Sequence, residues 1–281
     1  MDVRLTYQGQ GAQLFVKFLV GGLLSAITLG IYLPWFMVTL LRFVADNTTM
    51  KTSSGEVKLS FDGTGGELFV KALVGGLLTS ITLGIYSAWF IADLSRWHAE
   101  HLKGVGADGS TYSGAVKITG KELFITVFVG MLLTGITFGI YYPWFACKLQ
   151  KVMLDTTEIV RGGQTYGKMT FTGAGGDLFV TFLVGALLTS ITLGIYGAWF
   201  QVKMMRFFSE HTLVTVEGQT FAGGFDGEGA ELFVLNLVGG LLTSITLGIY
   251  GAWYFNKVYK FNFDHASFRP GAALPAVAAA A

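Results

Sequence analysis

Residues 192–200 read Thr192-Leu-Gly-Ile-Tyr-Gly-Ala-Trp-Phe200, and this string or a close variant occurs five times in the 281-residue chain. The tryptophan returns after 54 or 55 residues, at Trp35, Trp89, Trp144, Trp199 and Trp253. Repetition at this period indicates one supersecondary module that buries its apolar face against neighbouring copies. We divide the chain into modules 1 to 5, residues 1–52, 53–107, 108–162, 163–217 and 218–270, and an Ala-rich tail, 271–281, expected to be loosely packed.

Each module contains two predicted helices and shares β-hairpins with its neighbours. In module 4 the first helix runs from residue 177 to about 193 and has no polar stripe, so protein or lipid would bury all its faces. The second runs from 199 to about 211 and places Arg206 and Glu210 on one face, as in an interfacial helix or an ordinary solvated one. The linkers alternate and turn at glycine, which predicts hairpins that could join into one extramembrane sheet.

Three pairs of positions recur in every module. A glycine and a Ser or Thr four residues later permit close helix packing in a membrane; they are Gly21, Gly75, Gly130, Gly185, Gly239, Ser25, Thr79, Thr134, Thr189 and Thr243. A glycine and the tryptophan form the break between helices, at a membrane–water boundary or a buried aromatic corner; the glycines are Gly30, Gly84, Gly139, Gly194 and Gly248.

The third pair is a basic residue followed four positions later by an acid. It would serve headgroup contact or an ion pair, or an ion relay if it faced a pore. The basic residues are Arg42, Arg96, Lys151, Arg206 and Lys260, and the acids are Asp46, Glu100, Asp155, Glu210 and Asp264.

Composition favours a membrane protein. Hydrophobic residues make up 52% of the chain and charged residues 13%, about half of the ~25% usual in soluble domains. The net charge of +1 argues against a nucleic-acid partner. Cys147 is the single cysteine, so there is no disulfide framework, and the first residues do not have the pattern of a signal peptide.

The longest charge-free windows contain 25 residues, as in 178–202, and a membrane span needs about 20. The Gly-Ile-Tyr break lies inside each window, however, so we predict hairpins that insert deeply from one side, with single alternating spans as the alternative. The predicted fold class is a mainly α membrane protein with β-hairpins.

The sequence contains no constellation typical of catalysis. His98 and His101 are three residues apart and could share a metal, but no third ligand is evident. The glycine-rich stretch 63–66 lacks the lysine of a phosphate-binding loop. We therefore expect a protein that is not an enzyme and has no metal or other cofactor.

Module 4 also carries a family resemblance. Residues 176–179 read Gly-Asp-Leu-Phe, residues 187–189 Leu-Leu-Thr, and residues 192–196 Thr-Leu-Gly-Ile-Tyr, followed by Trp199 and His211-Thr. This pattern, which covers most of the chain, resembles the YjgN-like family of bacterial inner-membrane proteins of unknown function. The resemblance implies a multi-pass protein of a bacterial membrane, the inner membrane, and brings no activity with it.

The leading functional hypothesis is a structural or self-assembling membrane protein. Five equivalent modules offer equivalent lateral surfaces, open sheet edges at the two ends could pair with another copy, and one-sided insertion would bend a membrane. The expected partners are membrane lipid and further copies of the chain or a membrane complex. A channel, a carrier or an accessory subunit is the alternative, and a soluble α+β repeat ranks third.

Overall fold

The computed structural model describes residues 3–52 and 55–271 as ten strands and ten helices. Each module has the order strand, helix, helix, strand. The strands are β1 Val3–Tyr7, β2 Thr48–Thr52, β3 Gly55–Phe61, β4 Leu102–Val105, β5 Thr111–Val116, β6 Thr157–Arg161, β7 Gln164–Phe171, β8 Thr212–Val216, β9 Gln219–Phe225 and β10 Ala266–Pro270. Beyond residue 271 the predicted tail lies outside the described residues.

The first helix of every module has 17 residues, and the second has 14 or 15. The first helices are α1 Gly11–Ile27, α3 Gly65–Ile81, α5 Gly120–Ile136, α7 Gly175–Ile191 and α9 Gly229–Ile245. The second helices are α2 Leu33–Asp46, α4 Ser87–His101, α6 Tyr142–Asp155, α8 Gly197–Glu210 and α10 Gly251–Asp264.

Local chemistry sets the start of the first helices. In module 2 the Thr64 hydroxyl accepts a hydrogen bond from the Glu67 backbone N–H, while the Glu67 carboxylate accepts one from the Thr64 N–H. This capping box satisfies two N–H groups that a helix end leaves free. The bonds to Thr64 also lower the pKa of Glu67. Module 3 repeats the arrangement with Thr119 and Glu122.

The ten strands form one closed antiparallel barrel. Neighbouring strands are joined alternately by a tight hairpin and by a pair of helices, so all five helical hairpins extend from the same end of the barrel. The seam closes where β1 pairs with β10, with Val3 opposite Phe268. Closure removes the unpaired edges that an open sheet would expose.

Alternate strand residues separate apolar from polar surface. In β3, Val57 and Phe61 are buried, whereas Glu56 and Lys58 are exposed. The apolar face packs against the second helices, because Phe61 belongs to one core cluster with Val38 and Ala45 of α2 and Trp97 of α4, and its ring meets that of Trp97 at 5.4 Å. A cleft of about 150 Å³ is lined by Gln150 of α6 and by residues of β9 and β10, so α6 of module 3 approaches strands of module 5.

The helices form two layers around the same axis. Each first helix packs between its own partner and the second helix of the preceding module, with α1 against α10 closing the circle. An open cavity of about 380 Å³ is lined by Gln150 of α6, Gln201 of α8 and Asn262 of α10. Because three successive second helices share this cavity, the second helices form the inner layer and the first helices the outer layer.

Two predictions about the fold are wrong. The chain is not a mainly α membrane protein with β-hairpins, because its ten strands close into one antiparallel barrel. Nor are transmembrane helices found: within residues 3–52 and 55–271, none of the helices has both the length and the apolar composition to cross a bilayer.

The edge argument for self-assembly and homo-oligomers is also wrong. It required a free strand edge at each end of the sheet, and β1 and β10 pair with each other instead.

Candidate functional site

The ends of the five helical hairpins form the most unusual surface of the molecule. Each carries one apolar side chain that is 94–97% exposed and has φ between 49° and 51°, in the left-handed region that non-glycine residues seldom occupy. The glycine that follows has φ between 91° and 93°. We call these apolar side chains the tip residues; they are Leu29, Leu83, Phe138, Leu193 and Leu247.

A threonine immediately before each tip residue fixes the turn. The Thr28 hydroxyl donates to the Leu24 carbonyl at 2.7 Å and accepts from the Tyr32 N–H at 3.0 Å. The Gly30 N–H donates to the Ser25 carbonyl at 2.7 Å, which closes the helix end. The same bonds recur at Thr82, Thr137, Thr192 and Thr246.

The outer face of each first helix continues the apolar surface of the tip. In α3, Leu73 is 59% exposed, Leu77 60% and Ile81 68%, and the other first helices have the same pattern. Exposed apolar surfaces of this extent are typical of proteins that contact lipid or another apolar partner.

Moving from the tip toward the barrel, the apolar surface ends at a level where the two helices of a module carry charged side chains at facing positions. In module 2, Lys71 of α3 and Asp93 of α4 form an ion pair at 2.8 Å. In modules 4 and 5 the position of Asp93 holds Lys203 and Lys257, whose ammonium groups donate to the hydroxyls of Tyr196 and Tyr250 at 2.9 Å. We call this level the lysine belt; its lysines are Lys17, Lys71, Lys148, Lys203 and Lys257.

The helix-packing positions predicted from sequence lie between the two helices of a module. A Cβ added at Gly75 would lie 2.2 Å from the ring of Phe90, and the other four packing glycines face an equivalent ring. The threonines Thr134, Thr189 and Thr243 donate to the carbonyl of that glycine, four residues earlier. The Ser25 and Thr79 hydroxyls are buried and have no hydrogen-bond partner among residues 3–52 and 55–271.

The break tryptophans lie between modules. Trp35 packs over Gly65, at the start of the next module's first helix, where an added Cβ would lie 2.2 Å from the indole. It also contacts Phe69, with ring centroids 5.3 Å apart. Every module repeats the contact, and Trp253 closes the circle on Gly11.

The recurrent basic residues bind the backbone of the next module. Arg206 donates to the carbonyls of Phe225 and Gly227, both at 3.2 Å. Arg42, Arg96, Lys151 and Lys260 reach equivalent carbonyls. These groups therefore join modules within the chain.

The acidic partners behave less uniformly. Asp155 and Asp264 accept from the backbone N–H of Phe171 and Tyr7 and pair with the basic residue of their own helix. No hydrogen bond or ion pair is found for Asp46, Glu100 or Glu210 within the described part of the chain.

The histidines considered as metal ligands separate in the structure. His101 pairs with Asp62 at 2.6 Å and approaches Glu67 at 3.7 Å, whereas His98 lies against the ring of Phe61. Within residues 3–52 and 55–271, no three side chains of His, Cys, Asp or Glu are grouped to hold a metal ion. Burial raises the pKa of the lone Cys147 thiol to about 11, which keeps it protonated and unreactive at neutral pH.

Sequence reasoning missed two parts of this surface, the tip residues and the lysine belt. The tip residue is inside the quoted Thr-Leu-Gly-Ile-Tyr string, but a leucine in an apolar window gives no sign of left-handed backbone or full exposure. The belt lysine is on the first helix in modules 1 and 2 and on the second helix in modules 3 to 5. These two positions are 22 residues apart, like Lys71 and Asp93, so a search for a charge that recurs at one position does not find the belt.

The family model described as "Bacterial protein of unknown function (DUF898)" matches residues 56–107 and 166–224. The "Inner membrane protein YjgN" of Salmonella typhimurium is 40% identical over 81 residues, a match that covers 29% of this chain. The resemblance to the YjgN-like family is confirmed.

The match spans about a fifth of the length of the Salmonella protein, 20% of it. Both family-model segments run from a barrel strand through at least part of a helical hairpin, so the YjgN-like pattern belongs to the module. The relative's name agrees with the predicted location in a bacterial inner membrane. No solved structure matches the chain.

Proposed function

We propose that this chain is a non-enzymatic structural protein of the bacterial inner membrane that inserts five hairpin tips into one leaflet and bends it. Membrane lipid is the partner in this proposal. The observation that carries the proposal is the set of five tip residues, each apolar, at least 94% exposed and in left-handed backbone.

The backbone conformation at the tips supports lipid contact. A left-handed conformation costs a residue with a Cβ about 1–2 kcal/mol, and glycine or asparagine would adopt it more readily. Full burial of a leucine or phenylalanine side chain contributes about 1.5–3 kcal/mol. Transfer of the tip into hydrocarbon would offset its conformational cost, whereas exposure to water would add a second penalty.

The depth of the apolar zone fits a single leaflet. From Lys71 to Ile81 the first helix of module 2 rises ten residues, about 15 Å at 1.5 Å per residue. Half of the hydrocarbon core is also about 15 Å thick. The belt lysines would then lie at headgroup level, where long cationic side chains snorkel.

Insertion of five tips from the same end of the barrel is asymmetric. All hairpins extend in one direction, and the strands of the barrel at their base carry the exposed residues Lys51, Lys58 and Lys168. The added volume therefore enters one leaflet only, and positive curvature of that leaflet follows.

Tip variants test the proposal. We expect Leu29→Asn, Leu83→Asn, Phe138→Asn, Leu193→Asn and Leu247→Asn, combined, to leave the free energy of unfolding in detergent unchanged or raised. Partition into lipid vesicles should fall by about tenfold or more per tip, measured by flotation. Leucine-to-phenylalanine changes at the same positions, which copy module 3, are the matched control and should bind as the natural protein does.

Membrane shape gives the second readout. Electron microscopy of large vesicles should show tubules or small vesicles with the natural protein and smooth vesicles with the asparagine variant. Undiminished flotation of the asparagine variant would overturn tip insertion, and strong binding with unaltered vesicle shape would overturn bending.

A channel or carrier is the second candidate, favoured by the cavity inside the helix ring. Its lining mixes amide groups of Gln150, Gln201 and Asn262 with Met204 and Met205, as small-molecule sites often do. Solute uptake by vesicles containing the protein, and its loss in Gln201→Leu with Asn262→Leu, would support this candidate; equal uptake by both would exclude the cavity as the route.

A further inference from the structure

The lysine belt has a different chemistry in different modules. Module 2 neutralises its lysine, because Asp93 accepts from Lys71 at 2.8 Å and lies 3.7 Å from Arg96. In modules 3, 4 and 5 the lysine has moved to the second helix, and the position facing it holds a neutral residue. The facing pairs there are Thr126 with Lys148, Thr181 with Lys203 and Leu235 with Lys257.

These three lysines are exposed cations on the outside of the helix ring. None has a carboxylate within 4.0 Å among residues 3–52 and 55–271. A cation that has no carboxylate partner and lies at the edge of an exposed apolar surface is available to bind an anionic ligand.

In modules 4 and 5 the lysine is part of a small polar group. The Lys203 ammonium lies 2.9 Å from the Tyr196 hydroxyl oxygen and 5.6 Å from the centre of the ring. Tyr196 in turn stacks on Trp199, with centroids 6.1 Å apart and planes at 14°. The hydroxyl oxygen accepts from the lysine, so its own hydrogen remains available to an anion.

We propose that Lys148, Lys203 and Lys257 bind the phosphate of anionic phospholipid headgroups, with Tyr196 and Tyr250 as second donors. The inference rests on insertion of the tips, which brings the belt to the depth of the phosphates. A lysine is suited to phosphate as a point charge with several donors. The site repeats on modules 3 to 5, whereas Asp93 neutralises the belt lysine of module 2. In module 1 the belt lysine, Lys17, is on the first helix and lies over the Phe43 ring. Anionic lipid would therefore gather mainly along modules 3 to 5.

The experiment compares flotation of the full chain with vesicles of phosphatidylcholine alone and with phosphatidylglycerol added. The natural protein should prefer the anionic vesicles, and the preference should shrink as salt is raised. Lys148→Gln, Lys203→Gln and Lys257→Gln together should reduce the preference by roughly a hundredfold, about fivefold per lysine. Binding to phosphatidylcholine should change little, because the tips are intact.

The control removes the same charge elsewhere. Lys51→Gln, Lys58→Gln and Lys168→Gln lie on exposed strand positions of the barrel, and this triple variant should keep most of the preference. Asp93→Asn, which frees Lys71, should increase it. An equal loss in both triple variants would overturn the site and leave only net charge as the cause.

The outcomes separate the two proposals. Natural protein that floats with neither vesicle overturns tip insertion and, with it, the headgroup site. Protein that floats equally with both overturns the headgroup site alone. Inorganic phosphate added without vesicles distinguishes the source of the anion. If millimolar phosphate changes the tryptophan fluorescence of the natural protein but not of the Lys148→Gln, Lys203→Gln, Lys257→Gln variant, the site binds free phosphate and the lipid assignment is overturned.

Discussion

At the scale of single residues, two adjacent glycines of α3 have opposite surroundings. A Cβ on Gly75 would lie 2.2 Å from the Phe90 ring, closer than real atoms approach, whereas a Cβ on Gly76 would meet nothing within 4 Å. Gly75 leaves the space that the Phe90 ring of α4 occupies, and we call such a position a glycine notch. Gly76 has no such neighbour and only makes the helix backbone more flexible. Periodicity in the sequence marks the notch, since Gly75 has a glycine at every equivalent position and Gly76 has not.

This contrast predicts opposite effects of one substitution. Gly75→Ala should lower the free energy of unfolding by about 1–3 kcal/mol, because the ring of Phe90 must move. Gly76→Ala should raise it by about 0.5–1 kcal/mol, because alanine favours the helix. Denaturant titration in mild detergent measures both, and equal destabilisation by the two changes would contradict the packing.

A buried tyrosine gives the molecule a pH dependence at alkaline pH. Tyr7 is fully buried and donates to the Asn256 side chain at 2.8 Å. Burial raises the pKa of Tyr7 to about 12. The unfolded chain loses this proton near pH 10 and the folded chain retains it, so stability is complete below pH 10 and declines up to about pH 12.

Tyr7→Phe should remove that decline, which amounts to at most about 1.4 kcal/mol per pH unit. The variant should also be less stable at pH 8, because the Asn256 oxygen loses its donor. Unfolding free energies between pH 8 and 11 test the prediction, with Tyr112→Phe as the control. An unchanged alkaline slope in Tyr7→Phe would contradict it.

At the scale of elements, the modules are held together by side chains that bind their successors. The arginines and lysines after each break look, in the sequence, like residues for headgroups or ion pairs. In the structure Arg206 donates to the Phe225 and Gly227 carbonyls of module 5. These partners are backbone groups 19 and 21 residues away, so a search for opposite charges in the sequence does not predict them.

Arg206→Gln tests this connection. It should lower the free energy of unfolding by about 1 kcal/mol, a small value because the guanidinium is partly solvated. Vesicle binding should be unaffected, since the residue lies below the lysine belt. The control is Lys203→Gln, on the same helix, which should leave the free energy of unfolding unchanged. If Arg206→Gln instead lowers vesicle binding and leaves stability unchanged, Arg206 contacts a lipid headgroup and not the backbone of module 5.

At the scale of the whole molecule, closure of the barrel is the feature that excludes edge-to-edge growth. The pairing of Val3 with Phe268 joins residues that are 265 positions apart in sequence. Facing residues of antiparallel strands have Cα atoms about 4.5–5.5 Å apart, a distance that a disulfide can span.

Val3→Cys with Phe268→Cys, in a Cys147→Ala background, should therefore form a bond within one chain on oxidation. Reducing and non-reducing gels should show a faster monomer and no ladder of higher species. Val3→Cys with Thr111→Cys, on β5, is the control and should remain reduced. A ladder of linked chains would show that the seam is open and joins copies.

The sequence alone determined the module, its period and its main parts, because each depends on neighbours within about 25 residues. Helical periodicity, the break and the hairpin turns are local, and so is the glycine notch, whose partner Phe90 is 15 positions away. The YjgN-like resemblance belongs to the same scale.

Only the tertiary structure decided how many modules complete a ring, which layer each helix occupies and where the tip residues point. Closure depends on the combined twist and tilt of all ten strands, which the two strands of one module do not determine. The inner layer of helices and the cavity lined by α6, α8 and α10 depend on contacts between modules, which one module by itself does not make.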